Sequence, residues 1–253
     1  MSQPAPKNPW IAFARRVAAP RLRLFCFPYA GGSAGVYRTW GERLPAEIEL
    51  LPVELPGRAS RFREPLLRSM PAVVAAVAAG IAPLFDRPFV FFGHSMGASI
   101  AFELARLLRD RGEPQPLHLF LSGRRAPQVP DDDEPMHALP DAEFMERLRK
   151  LNGTPEEALQ HPELMQMMQP LLRADFEVIE TYEPGALSPL TCPITVLGGI
   201  GDVDVSREAL EGWREHTSGP FLVRMFPGDH FYLNHERGKL LEALARDLAT
   251  VGA

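Results

Sequence analysis

The chain has 253 residues, with 27 lysines and arginines against 32 aspartates and glutamates, and a formal net charge of −5. This balance, without a basic tail, is not typical of nucleic-acid-binding proteins. No apolar run is long enough to span a membrane, and the N-terminal segment lacks the apolar stretch of a signal peptide. Two cysteines in apolar surroundings, Cys26 and Cys192, are expected to be free thiols. We therefore expect one cytoplasmic domain over residues 1–253.

Apolar runs and helical patterns alternate along the chain. Strands are predicted at residues 22–27, 48–53, 89–92, 117–121, 194–197 and 221–226. Helices are predicted at residues 36–44, 70–85, 96–111 and 234–248. Strands that alternate with helices are typical of a doubly wound, mostly parallel sheet, so the pattern predicts an α/β fold.

Residues 124–190 break this alternation and are too long for a simple connection. Helical patterns begin there at Asp141, at a capping box over residues 154–157, at Pro162 and at Pro170. Because this segment joins two strands at the edge where ligands bind in open α/β sheets, we expect an insertion that forms a lid. It holds five of the nine methionines, which are expected either to line a flexible acyl chamber or to pack in the core: Met136, Met145, Met165, Met167 and Met168.

The sequence Gly93-His94-Ser95-Met96-Gly97 stands between a predicted strand and a predicted helix. G-x-S-x-G in this position is typical of the nucleophile elbow of α/β-hydrolases, where side chains on the glycines would collide with the neighbouring strand and helix. The helix N-terminus favours negative charge that develops at the serine. An ordinary turn with an N-capping serine is the alternative. We interpret Ser95 as a nucleophile.

A serine nucleophile needs a base and a carboxylate that orients it. Among seven histidines, His230 follows the last predicted strand and precedes the last helix, where the base of such enzymes lies. The acid should end an earlier strand, and the sequence L-G-G-I-G-D-V-D offers Asp202 first. Asp204 is a competitor whose alternative role is to cap the following helix.

A serine attack also needs two backbone donors for the oxyanion. The amide of Met96, directly after the nucleophile, is one candidate. The small-residue loop Tyr29-Ala30-Gly31 after the first strand offers the other, although structural glycines would look the same.

Five ordered motifs between about residues 26 and 233 make the chain recognisable. They are F-P-Y-A-G-G-S-A, E-L-P-G-R-x-x-R with E-P, G-H-S-M-G, L-G-G-x-x-D and R-x-F-P-G-x-H-F-x-L. Together they resemble the type II thioesterases, the stand-alone editing enzymes of polyketide and nonribosomal peptide assembly lines. The resemblance implies a triad of Ser95, Asp202 and His230, with the oxyanion hole at Ala30 and Met96.

The resemblance also implies the reaction: hydrolysis of an acyl thioester on the phosphopantetheine arm of a carrier protein, through an acyl-enzyme. An acyltransferase with the same triad and a non-catalytic carrier-binding protein are the alternatives. No pattern for a cofactor or a metal is present. Carrier proteins are acidic, so a basic cluster could contact one, although a solvated loop explains it equally well: Arg58, Arg61, Arg63 and Arg68.

Overall fold

The computed structural model describes residues 8–130, 134–151, 153, 160–186 and 188–252. Six parallel strands form one sheet in the order β2–β1–β3–β4–β5–β6. The strands are β1 (Leu22–Phe27), β2 (Ile48–Pro52), β3 (Phe89–His94), β4 (Leu119–Ser122), β5 (Ile194–Gly199) and β6 (Phe221–Phe226). The helices are α1 (Met70–Ile81), α2 (Met96–Asp110), α3 (Asp141–Lys150), α4 (Pro162–Glu180), α5 (Arg207–Glu211), α6 (Tyr232–His235) and α7 (Arg237–Thr250).

The inner strands are apolar because both faces of the sheet are covered. Every residue of β1 and β3 is buried, whereas edge strand β6 is mostly half-buried. On β1, Phe25 and Phe27 join the core that contains α1 and α2. Leu24 and Cys26 face the core that contains α7. All six predicted strands are present, with ends shifted by no more than a few residues, so the α/β prediction is confirmed.

The helix predicted at residues 36–44 is wrong. Two short 3₁₀ turns, Ala34–Tyr37 and Trp40–Arg43, take its place. In sequence, Tyr37 and Trp40 lie three residues apart, and both rings pack on Phe92, with centroids 5.9 and 4.9 Å away. Two glycines in this segment, Gly35 and Gly41, also lower its helix propensity. Packing on the sheet therefore prevails over the helical pattern.

Two other helix boundaries differ from the prediction. Helix α1 ends at Ile81, and a 3₁₀ turn containing Pro83 follows it, because proline interrupts helical hydrogen bonding. At the C-terminus, the short helix α6 precedes α7, which begins at Arg237 and not at residue 234.

The segment between β4 and β5 carries α3 and α4. Helix α3 begins at Asp141, as predicted. Helix α4 continues through Pro170, so the prediction of a new segment at that proline is wrong. The capping box over residues 154–157 lies outside the described residues. This insertion has a small hydrophobic cluster of its own, formed by Met136, Phe144, Leu148, Met165 and Leu172.

The strand order reverses at the centre of the sheet. From β1 the chain passes to β2 on one side and then returns to β3 on the other side of β1. Loops after β1 and β3 therefore leave the carboxyl edge in opposite directions, and ligands of open α/β sheets bind in the crevice between such loops. Over the described residues, no helix is both long and apolar enough to cross a membrane.

Candidate active site

Ser95 occupies a strained turn between β3 and α2. Its backbone has φ +53° and ψ −117°, outside the regions that residues with a Cβ ordinarily adopt. A Cβ at Gly93 would lie 2.0 Å from the carbonyl oxygen of Gly97, and a Cβ at Gly97 would lie 2.1 Å from that of Phe27. Both contacts are far too short, so the steric requirement expected for the elbow glycines is confirmed.

His230 and Asp202 lie side by side. Nδ1 of His230 is 2.8 Å from Oδ2 of Asp202, and the Asp202 side chain is 0 % exposed. The second carboxylate oxygen, Oδ1, accepts hydrogen bonds from the backbone amides of Asp204 and Val205, at 3.0 and 3.1 Å. The carboxylate is thus held on both oxygens, and it can fix both the orientation of the imidazole and the position of its proton.

Asp204, the competing acid, is exposed at the cavity wall. One ligand atom from each of Asp202, Asp204 and His230 lies within 4.8 Å of the others, so Asp204 stays close to the site. The capping role considered for it belongs to Ser206, whose side chain accepts a hydrogen bond from the amide of Ala209. The short, buried contact to His230 therefore favours Asp202 as the acid.

A buried polar chain behind His230 was not predicted from the sequence. Nδ1 of His94 lies 2.8 Å from Oγ of Ser122, which lies 2.6 Å from the hydroxyl of Tyr232. The His94 ring is completely buried, and its centroid is 5.0 Å from that of His230. Gly123 permits this packing, since a Cβ there would lie 2.6 Å from Cε1 of His94.

Burial determines the protonation of His94. Loss of solvation holds the pKa of His94 well below its ordinary value, and charge on the neighbouring His230 lowers it further, partly offset by a hydrogen bond to the backbone of His230. A neutral ring beside His230 does not oppose a positive charge that His230 takes up during a reaction. The sequence signal was only that His94 stands next to the elbow serine in the chain.

The two expected oxyanion donors follow the strands β1 and β3, on either side of the switch point. Ala30 lines the same cavity as Ser95, and Met96 is the first residue of α2. No residue in the described part of the chain accepts a hydrogen bond from either amide. The neighbouring amide of Gly31, in contrast, donates to Oδ2 of Asp175 at 2.7 Å. Neither amide is used within the described residues, and the oxyanion hole at Ala30 and Met96 stays a prediction.

A cavity of about 770 Å³ opens above the sheet, and Ser95, His230 and Ala30 line its floor. The insertion contributes apolar wall residues, among them Leu148, Met168, Leu172 and Phe176. Charged residues line the cavity as well, among them Arg124, Arg125, Glu134 and Lys150. The lining is thus both apolar and charged.

The expected acyl chamber involves two of the five insertion methionines. Met136 and Met168 line the cavity. Met165 is buried in the insertion's own cluster, Met145 packs at the edge of that cluster, and Met167 is 58 % exposed. On α4, Met165 and Met168 lie three residues apart on one side of the helix, and Met167 lies on another side; Met136 precedes α3.

The interpretation of four arginines as a surface cluster is wrong for two of them. Arg58 is buried against Asp175. Arg61 is buried too: its Nη1 donates to the carbonyl of Glu54 at 2.9 Å, and its guanidinium lies 3.8 Å from the centroid of the Trp10 ring. Only Arg63 and Arg68 are exposed. Buried arginines need fixed partners, and these two find them within the protein.

The sequence and the fold of this chain are similar to those of known thioesterases. The family model of the thioesterase domain matches residues 22–250. The gramicidin S biosynthesis protein GrsT of Aneurinibacillus migulanus is 46 % identical over 244 residues, which are 96 % of this chain and 95 % of GrsT. The type II thioesterase BorB from the borrelidin biosynthetic cluster superposes with a TM-score of 0.85 at 35 % identity, covering 94 % of this chain and 96 % of BorB.

A third relative, LgrE of Brevibacillus parabrevis, is named a linear gramicidin dehydrogenase; it is 45 % identical over 94 % of this chain and 92 % of its own length. Since the family model covers residues 22–250, the chain belongs to the thioesterase family and shares the α/β-hydrolase fold of the type II thioesterases from polyketide and nonribosomal peptide pathways.

Proposed function

We propose that this thioesterase hydrolyses acyl thioesters on the phosphopantetheine arm of carrier proteins, and so removes stalled or aberrant acyl groups from an assembly line in the cytoplasm. One observation carries the proposal: Ser95, in its strained elbow, lines the same cavity as His230, whose Nδ1 contacts the buried Asp202. The relatives from polyketide and nonribosomal peptide pathways support the choice of substrate class.

In the acylation step, His230 Nε2 takes the proton of Ser95 as Oγ attacks the thioester carbonyl. Asp202 keeps the other proton on Nδ1 and stabilises the imidazolium that forms. The Ala30 and Met96 amides donate to the oxyanion. When the C–S bond breaks, His230 returns its proton to the leaving thiolate, and the acyl group remains on Ser95 as an ester.

Deacylation uses the same groups with water in place of serine. His230 takes a proton from the water as it attacks the ester, and then protonates Ser95 as the free acid leaves. The apolar walls from the insertion hold the acyl chain during both steps, which is the role we propose for residues 124–190 as a lid.

A first experiment compares wild-type protein with Ser95→Ala on an acyl-carrier protein and on the same acyl group attached to pantetheine. We expect the variant to fold normally and to lose about 10³-fold or more in kcat, because it has no nucleophile. Mass spectrometry of the product separates hydrolysis, which yields the free acid, from transfer to another acceptor. Activity of Ser95→Ala within about tenfold of wild type would refute the proposed nucleophile.

The carrier protein as a substrate partner is tested by varying the salt concentration. If its acidic surface is recognised, acyl-carrier should have a higher kcat/KM than acyl-pantetheine, and the advantage should shrink as salt screens charges beyond about 8 Å. Arg63 and Arg68 are the exposed members of the arginine cluster, and Arg68 already pairs with Glu177 on α4 at 2.6 Å, so Arg63 is the better candidate for such a contact. Equal kcat/KM for both substrates would contradict the carrier as a folded partner.

A further inference from the structure

A buried ion pair joins the insertion to the core of the protein. Nη1 and Nη2 of Arg58, in the loop after β2, contact Oδ2 and Oδ1 of Asp175 on α4, at 2.9 and 2.8 Å. The side chains of Arg58 and Asp175 are 5 % and 4 % exposed. The two residues lie 117 positions apart in the chain. Their contact is bidentate, the geometry in which arginine binds carboxylate most specifically.

Both members of the pair also bind the loop after β1. Oδ2 of Asp175 accepts from the amide of Gly31 at 2.7 Å, and Nη1 of Arg58 donates to the carbonyl oxygen of Gly32 at 2.9 Å. The pair thus holds the backbone on two successive residues directly after Ala30. We call this arrangement the Arg58–Asp175 clamp.

Helix α4 is packed tightly on the same loop. Gly31 has φ +74°, and a Cβ there would lie 2.4 Å from Cδ2 of Leu172. Leu172 precedes Asp175 by three residues, so both side chains project from one side of α4. The loop that carries Ala30 is therefore bound by the insertion through an apolar contact and through the clamp.

Stability alone does not explain two buried charges at this point. Taking an ion pair out of water costs several kcal/mol per ion, and apolar residues of similar volume often serve equally well. An apolar pair, however, could bind neither the Gly31 amide nor the Gly32 carbonyl. The polar clamp does what a hydrophobic contact cannot, since it fixes the orientation of the peptide groups next to the expected oxyanion donor.

We propose that Arg58 and Asp175 are positioning residues for the oxyanion hole, and that helix α4 of the insertion is thereby part of the machinery that stabilises the transition state. This inference rests on the proposed function, because it assumes that the Ala30 amide binds the oxyanion. Neither residue touches the substrate. They act through Gly31 and Gly32, and a displacement of α4 would release the loop and weaken the oxyanion contact.

The experiment replaces the charged pair by an apolar one, Arg58→Met with Asp175→Leu in a single protein. Loss of both charges together avoids an unpaired buried ion, so we expect the protein to remain folded. The oxyanion donor is misplaced but not removed, so kcat for an acyl-pantetheine should fall about 10- to 100-fold, while KM stays within about threefold. That split marks an interaction made in the transition state.

An alkylboronic acid provides a second readout. It forms a tetrahedral adduct with an active-site serine and thus probes oxyanion binding without turnover. We expect its inhibition constant to rise in the double variant by a factor similar to the fall in kcat/KM. If the clamp only stabilised the fold, the double variant would have a changed melting temperature, but its inhibition constant would not rise in proportion to the fall in kcat/KM.

A matched control pair exists on β1 and β2. Nε of Arg23 lies 2.7 Å from Oε2 of Glu49, both residues are buried, and Arg23 is at the amino end of β1, away from the loop that follows Phe27. Arg23→Met with Glu49→Leu also removes a buried pair, and it should leave kcat and boronic acid inhibition near wild-type values.

Failure of the proposed function and failure of the clamp give different results. Wild-type protein that neither hydrolyses thioesters nor is inhibited by the boronic acid would overturn the proposed function. An active wild type with a folded double variant that keeps kcat within about threefold would overturn only the clamp. If the double variant does not fold, Asp175→Asn decides the matter. The asparagine oxygen can accept from Gly31 and from Nη1 of Arg58 in place of Oδ2, but its NH₂ group then faces Nη2 of Arg58, donor against donor, and the bidentate contact is lost. At least about a fivefold fall in kcat at constant KM supports the clamp, and a smaller fall overturns it.

Discussion

The hydrogen bonds of Asp202 make Asp202→Asn the most informative substitution in the site. Asparagine has one acceptor and one donor where aspartate has two acceptors. The backbone amides of Asp204 and Val205 donate to one carboxylate oxygen of Asp202, so the asparagine oxygen should remain there. Its NH₂ group then faces Nδ1 of His230. The imidazole proton must move to Nε2, the atom that should accept the serine proton.

The expected fall in kcat follows from the free-energy cost of turning the asparagine side chain to its other orientation. Turning the asparagine to suit His230 would cost the hydrogen bonds of two backbone amides, which are exposed and part-buried, at about 0.5–1.5 kcal/mol each. The unproductive orientation is therefore preferred by about 1–3 kcal/mol, or roughly 5-fold to 150-fold at about 1.36 kcal/mol per tenfold. We expect kcat to fall within this range, with a normal melting temperature because the side chain keeps its size.

The assay is steady-state hydrolysis of an acyl-pantetheine, followed by release of the free thiol, with Asp204→Asn as the matched control. Asp204 is exposed, so its variant should retain kcat within about threefold of wild type. A fall in kcat for Asp204→Asn that exceeds the fall for Asp202→Asn would move the acid to Asp204. Two variants of equal, near-normal activity would refute the triad reasoning altogether.

Three further outcomes are expected. Met168→Trp, inside the cavity, should reduce hydrolysis of long acyl chains more than hydrolysis of short ones. Met167→Trp, on the exposed face of α4, should leave the chain-length preference unchanged. An equal loss of activity at all chain lengths would refute the proposed acyl chamber. Burial lowers the pKa of His118 from 6.5 to about 4, so the unfolded state binds more protons between these values and stability falls as the pH drops through that window. Between pH 7 and pH 4.5, denaturant unfolding should show that the free energy of unfolding falls by about 1–2 kcal/mol less in His118→Gln than in wild type, after allowance for partial exposure of the ring. An identical fall in both proteins would contradict the role of His118. Gly97→Ala should abolish folding or activity, as its Cβ would meet the Phe27 carbonyl at 2.1 Å, and a soluble, active variant would show that the elbow can widen.

The local sequence by itself predicts the strands and the serine elbow of this protein. Parallel strands covered on both faces are encoded as largely apolar runs, so all six strands were predicted, including half-buried β6, and β1 was predicted with its observed ends. The elbow was equally visible, because two glycines around Ser95 answer a steric demand within a few residues of chain. The order of Ser95, Asp202 and His230 places all three at the carboxyl edge of the sheet, and their catalytic roles stay predictions for the variants above.

Only the tertiary structure decided what depends on contacts between distant segments. An arginine in a loop has the same local sequence whether it is solvated or buried, and the partner of Arg58 stands 117 residues away on a helix of the insertion. The sequence likewise did not distinguish Met168 in the cavity from Met167 in solvent, since the rotation of α4 over the sheet is set by packing. Strands and turns are encoded where they occur, whereas the environment of a charged or flexible side chain is encoded by every segment that packs around it.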